Sequence, residues 1–187
     1  MAQAIIGGMI QSEVVANTQI IASAKTIDTK EVVEKSLGIT VFNDNKQVAK
    51  QADILFLAVK PDIHKEVIQE IKELIKDDCI VITIAAGVTL QFLQNSFQLE
   101  HLKAIRVMPN TPSLVGEGMS AIACNGFVKK DELDTVVTLC ETFGKAVVLD
   151  EGLMDAVPAI SGSSPAYVYM FIEALADGAV KEGIPRE

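Results

Sequence analysis

Three short stretches of this chain set small or uncharged polar residues directly after apolar runs: AVKP at 58–61, IAAG at 84–87 and MPNTP at 108–112. Ala58, Ala85, Ala86 and Gly87 leave the backbone bare enough for a flat ring or a diphosphate to approach it closely. Asn110 and Thr111 offer hydrogen bonds there without charge. One such stretch is ordinary; three in succession describe a ligand crevice. Ser23-Ala24-Lys25-Thr26 carries a hydroxyl and an ammonium, with no acid before Asp28. That pairing suits a phosphate, and Lys25 reads equally well as a solvated surface lysine. Lys60 stands beside a ligand phosphate, beside a substrate carboxylate, or simply in water. No general-acid pair or nucleophile–base set is visible. His64 and His101 stand alone without a second ligand at metal spacing, so no metal site is expected.

The elements that must position these residues alternate. An apolar helix over 1–14 precedes a strand over 19–24. A short helix runs from Thr29, a plausible cap, to a stop at Gly38. A strand over 39–42, a helical turn over 46–51 and the strand DILFLAV (53–59) follow. The clearest helix covers 62–76, with Ile63, Val67, Ile71, Leu74 and Ile75 on one face. CIVITIAA (79–86) is a second wholly apolar strand, followed by a helix over 90–97 and a strand over 104–108. A strand over 120–124, a helix over 130–143 and a strand over 146–149 complete the series. Strands without polar alternation are buried on both faces, which belongs to a parallel sheet covered by helices. Residues 1–150 therefore read as a Rossmann-like, doubly wound α/β domain. In such sheets ligands bind beyond the carboxyl ends of the strands. Pro61, with its fixed φ and missing N–H, ends one strand there and opens the next helix.

From Glu151 the character changes. A helix over 153–160 is expected to break at SGSS (161–164), and Pro165 to open a long helix to about Val180. That helix is apolar nearly all round, so it should be buried against another chain or further helices. Gly183 ends it, and Ile184-Pro185-Arg186 reads as the opening of another. Residues 151–187 are thus expected to begin an all-α domain.

Composition narrows the function. The net charge of −9 and pI near 4.7 argue against a nucleic-acid partner, whose phosphates need a basic face. No run of about 18 apolar residues points to a membrane span. Cys79, Cys124 and Cys140 lie far apart inside apolar segments, as buried reduced thiols of a cytoplasmic protein do. An acid at the end of the second strand would hold the ribose 2′-hydroxyl of NAD. Its absence, with Ser23 and Lys25 in place, favours NADPH, with NADH possible.

The ends of the chain raise a further expectation. A doubly wound sheet opens on a strand and a glycine-rich turn. This chain opens on the helix, with Gly7-Gly8 inside it. A central strand without its partner loses roughly 1 kcal/mol per hydrogen bond. The first strand and its glycines are therefore expected upstream, and the rest of the helical domain downstream of Glu187.

Taken together, DILFLAVKP (53–61), AAGVT (85–89), RVMPNTP (106–112), Gly116-Glu117-Gly118 and above all SGSSPAYVYMFIEALADGAVKEGIPR (161–186) resemble the pyrroline-5-carboxylate reductases. Met1-Ala2 is similar to the tail of that family's G-x-G-x-M-A turn, and Ser164 stands where many members carry Gly or Ala. The resemblance implies reduction of the C=N bond of 1-pyrroline-5-carboxylate to L-proline by NADPH or NADH, the last step of proline biosynthesis. It implies cofactor contacts at Ser23, Ala24 and Asn45 near the adenosine, at Ala58, Val59, Lys60 and Pro61 along the dinucleotide, and at Ile84, Ala85 and Ala86 near the nicotinamide, bordered by MPNTP. It also implies a homodimer or higher homo-oligomer made by the C-terminal helices. Catalytic and substrate-binding residues are expected beyond residue 187, so competence belongs to the whole protein. Two alternatives stay open. A β-hydroxyacid dehydrogenase-like enzyme would need a helix-borne lysine, for which only Lys181 is available. A dinucleotide-sensing module would bind without turnover.

Overall fold

The structure, a computed structural model, describes residues 1–186; the last residue of the expected second domain, Glu187, lies outside them. Strands β1 (Ile21–Ser23) and β2 (Thr40–Phe42) form a parallel pair. Strands β3 (Ile54–Leu57), β4 (Ile80–Thr83), β5 (Lys103–Met108), β6 (Gly118–Cys124) and β7 (Gly144–Val148) form a second sheet in that spatial order. Helices α1 (Ala2–Gln11), α2 (Ile27–Leu37), α3 (Asn45–Ala49), α4 (His64–Ile71), α5 (Leu90–Phe97) and α6 (Lys130–Glu141) alternate with them. Helix α7 (Ser164–Lys181) follows.

The wholly apolar strands are covered on both faces. Val81 faces a cluster with Leu55, Leu57, Ile68, Ile71, Leu93 and Phe97, under α4 and α5. Its neighbours Ile80 and Ile82 face Ile5, Met9, Ile105, Val136, Leu139 and Phe143, under α1 and α6. This is the three-layer arrangement expected of a doubly wound sheet. On the second face α1 lies so close that a Cβ on Gly8 would come within 2.8 Å of Phe143 Cβ.

Two features set the sheet apart from a regular doubly wound one, the first of them in line with a first strand expected upstream. It is broken: β1 pairs only with β2, and β3 only with β4. The break falls where the order of a doubly wound sheet places its first strand. Side chains bridge it, with Ile21 and Phe42 packing on the cluster around Leu55 and Leu57. In addition β6 runs antiparallel to β5 while β7 is parallel to β6, because the short turn 111–115 returns the chain beside β5 instead of crossing over the sheet.

Several boundaries shift for local reasons. Thr26, not Thr29, caps α2: its Oγ1 accepts the Thr29 N–H at 3.3 Å, and the helix begins at an exposed Ile27 that breaks the periodic signal. It ends at Gly38 as expected. Helix α4 is shorter than 62–76: a 3-10 turn, Pro61–Ile63, precedes it, and beyond Ile71 the backbone tightens, Leu74 N–H bonding to Ile71 C=O. No α-helix spans 153–160. A 3-10 turn (Glu151–Leu153) is followed by a π-helical turn through Pro158–Gly162, closed by Ser163 N–H on the Pro158 carbonyl at 2.7 Å. SGSS therefore continues the turn through Gly162 instead of breaking it. Ile184–Arg186 is irregular instead of opening another helix. Helix α7 has no buried residue, and Tyr167, Met170 and Phe171 are about two-thirds exposed, so among the described residues nothing supplies the burial its sequence calls for.

One buried cation ties the sheet to the segment leading into α7. Arg106, in the interior of β5, is 2% exposed. Its guanidinium donates to Glu151 Oε1 at 3.2 Å and to Asp155 Oδ1 at 3.1 Å. The same Glu151 oxygen accepts the first backbone N–H of α5, Leu90, at 2.7 Å. A carboxylate at a helix N-terminus and against a desolvated guanidinium is favourable on both counts. Arg106 Nε is buried without a partner, which leaves the cation dependent on these two acids.

The cysteines are reduced. Burial pushes the thiol of Cys79 up to about 11 and that of Cys140 up to about 12, and raises that of the half-buried Cys124. A raised thiol pKa means less thiolate at any given pH below it, and the thiolate is the nucleophile.

Two outcomes are expected. Glu151→Ala strands a buried cation and lowers stability by about 3 kcal/mol, whereas Asp155→Ala, at a carboxylate in water, costs less than about 1 kcal/mol; urea denaturation of both variants measures the contrast. At mildly alkaline pH, alkylation followed by mass spectrometry should label Cys124 first and Cys79 and Cys140 only on unfolding.

Candidate functional site

The site is built by register. Leu57 pairs with Thr83, and Thr83 with Arg106, in parallel ladders. The chain leaves β3 through Ala58-Val59-Lys60-Pro61, β4 through Ile84-Ala85-Ala86-Gly87 and β5 through Pro109-Asn110-Thr111, all at one edge of one sheet. Of the residues expected there, Ala58, Lys60, Pro61, Ala86, Gly87 and Thr111 are exposed, Val59, Ile84 and Asn110 half-buried and Ala85 buried. Gly87 has φ +76, and a Cβ added to it would meet no atom within 4 Å. The surface along this edge is low and open, as close approach of a ligand to backbone requires.

The side-chain amide of Asn110 is engaged within the protein at both of its polar atoms. Its Nδ2 donates to the Ser161 carbonyl at 3.0 Å and its Oδ1 accepts the Met119 N–H at 2.8 Å. The side chain thus pins the turn after β5 to the segment before α7. Between these segments lies a cavity of about 320 Å³ lined by Asn110, Pro112, Ser161, Ser164, Val168 and Tyr169, within the size range of small-ligand pockets.

Of the remaining expected residues, Ser23 ends β1, Ala24 and Lys25 follow it, and Asn45 opens α3 just after β2. Ser23 Oγ donates to Asn45 Oδ1 at 2.8 Å, and Asn45 Nδ2 donates to Glu70 Oε2 at 2.8 Å. Ala24 is held at both ends, its N–H on the Phe42 carbonyl and its carbonyl accepting Asn43 Nδ2, each at 2.9 Å. Lys25 and Lys60 are exposed, without an ion pair among the described residues. Ser23 and Asn45 are therefore brought together at the ends of β1 and β2, which are hydrogen-bonded separately from the sheet that carries the three strand ends.

Three residues at the site escaped sequence reasoning: Glu70, His64 and Thr83. Each has a side-chain partner 19 or more positions away in the chain, and no local pattern marks that pairing. His64 and Thr83 are fully buried. His64 Nδ1 lies 3.0 Å from the Lys60 carbonyl and Nε2 2.9 Å from Thr83 Oγ1. Thr83 Oγ1 also accepts the Ala85 N–H at 3.2 Å. Among the described residues no group of three or more His, Cys, Asp or Glu converges as metal ligands, and no helix is long and apolar enough to cross a membrane.

Comparison with known proteins bears on the whole chain. Residues 1–87 match the family model described as NADP oxidoreductase coenzyme F420-dependent, and residues 151–187 that of pyrroline-5-carboxylate reductase dimerisation. The chain is 42% identical over 186 residues to the pyrroline-5-carboxylate reductase of Escherichia coli strain K12, spanning 100% of this chain and 69% of that protein. The structure of a pyrroline-5-carboxylate reductase from Coxiella burnetii superposes with a TM-score of 0.91 at 29% identity, over 99% of this chain and 68% of that one. The Plasmodium falciparum enzyme, crystallised with NADP bound, superposes at 0.87 with 32% identity, over 98% of this chain and 66% of that one. At 42% identity across this whole chain and 69% of that relative, with a match to the dimerisation model over 151–187, this chain belongs to the pyrroline-5-carboxylate reductase family.

Proposed function

We propose that the protein reduces the C=N bond of 1-pyrroline-5-carboxylate to L-proline with NADPH, the last step of proline biosynthesis. The full-length match at 42% identity carries this reading. The residues present fit a dinucleotide. Ala58, Ala86 and Gly87 leave the sheet edge low, and Gly87 stands beside open space. Helix α1 has no side-chain cap and no acid in its first turn, so its first N–H groups suit a pyrophosphate. Ser23, Ala24, Lys25 and Asn45 are assigned to the adenosine end, where the absence of an acid on β1 favours the 2′-phosphate. Val59, Lys60 and Pro61 lie along the dinucleotide, and Ile84, Ala85, Ala86, Gly87, Asn110 and Thr111 toward the nicotinamide.

The bound cofactor supplies the hydride. The chain's own part is to hold the ring against the β4 and β5 exits and to shape the cavity at Asn110 and Tyr169 for the substrate. An imine needs little chemical help once protonated, so placement at roughly 3–3.5 Å and exclusion of water are the main demands. The domains divide at 1–150 and 151–187. The exposed apolar face of α7, with Tyr167, Met170, Phe171, Ile172 and Leu175 more than half exposed, is assigned to a homodimer interface, consistent with the dimerisation match. Cytoplasmic residence accords with buried reduced thiols and an acidic pI near 4.7.

Purified full-length protein is expected to oxidise NADPH on addition of 1-pyrroline-5-carboxylate. Tight NADPH binding without turnover would instead mark a sensing module. Lys60→Ala should raise KM for NADPH or for the substrate by about tenfold, the worth of one charge-assisted hydrogen bond, with the fold intact by circular dichroism. Unchanged KM values for both would remove Lys60 from the site.

A further inference from the structure

The buried pair His64 and Thr83 joins two of the three strand ends through hydrogen bonds. The Lys60 carbonyl can only accept, so His64 Nδ1 carries a proton and donates to it at 3.0 Å. Nε2 of the same ring is hydrogen-bonded to Thr83 Oγ1 at 2.9 Å. The Thr83 oxygen in turn accepts the Ala85 N–H at 3.2 Å. Both ring nitrogens and the Thr83 oxygen are thereby engaged, and both residues are fully buried. This hydrogen-bonded chain runs from the exit of β3 to the exit of β4.

Backbone ladders do not hold these two exits together. The β3–β4 pairing ends at Leu57↔Thr83, and Ala58 and Ile84 lie beyond it. The Lys60 peptide and the Ala85 peptide are fixed relative to each other by two side chains beneath the crevice, neither of which faces it. Resting on the dinucleotide reading above, we propose that His64 and Thr83 are positioning residues for the cofactor. They set the spacing between the AVKP and IAAG segments, so that the low edge formed by Ala58, Ala85 and Ala86 keeps the width of a dinucleotide before one arrives. A satisfied buried polar network specifies one geometry, whereas apolar packing alone tolerates small slides.

Thr83→Val keeps the shape of the side chain and removes the hydroxyl; Thr83→Ser keeps the hydroxyl. In full-length protein, NADPH affinity is read from the fluorescence of the bound cofactor, KM values from turnover, and folding from thermal melts. Thr83→Val is expected to weaken NADPH binding by about tenfold, as the loss of two buried hydrogen bonds would give. KM for NADPH should rise accordingly, with smaller changes in kcat and in KM for 1-pyrroline-5-carboxylate, and Thr83→Ser should restore affinity to near wild type. A Thr83→Val protein that is folded at the assay temperature and binds NADPH as tightly as wild type overturns the proposal. So does a Thr83→Ser variant as weak as Thr83→Val, which would make side-chain packing the cause. A wild-type protein that binds no NADPH overturns the dinucleotide reading itself, and is told apart by failing before any substitution is made.

Discussion

Strands buried on both faces have no room for solvated chemistry along their length. The aliphatic runs of β3, β4 and β5 pack under α4 and α5 on one side and α1 and α6 on the other. Burying a polar group there without a partner costs several kcal/mol, on the order of 2–7 depending on the reference state. Ligand contacts are consequently displaced to where the strands stop. Because β3, β4 and β5 are parallel neighbours, all three stop at the same edge. The low, open surface at that edge is thus a consequence of the core, and its small residues leave bare the backbone that the strands present on leaving the sheet.

The polar side chains that do enter the sheet obey the same constraint. Thr83 and Arg106 are register partners on adjacent strands, and both are buried. Thr83 turns its hydroxyl to His64 and the Ala85 amide; Arg106 turns its guanidinium to Glu151 and Asp155. Each forms a bridge from the sheet interior to a segment outside it, one to the start of α4 and the other to the approach to α7. Asn110 adds a third bridge, from the turn after β5 to Ser161. These hydrogen bonds therefore run along the edge where β3, β4 and β5 stop and fix the segments around it.

Helix α7 is the counterpart of this ordered edge. It is amply apolar and fully formed, yet its apolar residues face solvent in a single chain. A contiguous surface of Tyr, Met, Phe, Ile and Leu is more than a monomer ordinarily exposes. In a family with a dimerisation region at these residues, the burial that the helix lacks internally is of the kind a second copy supplies. The cavity beside Asn110 has Val168 and Tyr169 of this helix in its wall, so the packing of α7 and the shape of the site are linked.

The sequence by itself determined much of this. Continuous apolar runs announced two-face burial, and the 3.6-residue period of α4 and the strand–helix alternation announced the doubly wound class. The strand-end motifs and the segment 161–186 identified the family. Those signals are local: each is written within a few turns or one strand, where propensity and periodicity act. The tertiary structure decided what depends on distant partners. These are the antiparallel return of β6, the π-helical turn at Pro158–Gly162, the engagement of Asn110 with Ser161 and Met119, and the roles of His64, Thr83, Glu70 and Arg106. A polar side chain has its meaning in the atom it bonds, and in these pairings that atom lies nine to fifty-one positions away. Periodicity carries no record of such pairings; only the folded chain brings them within hydrogen-bonding distance.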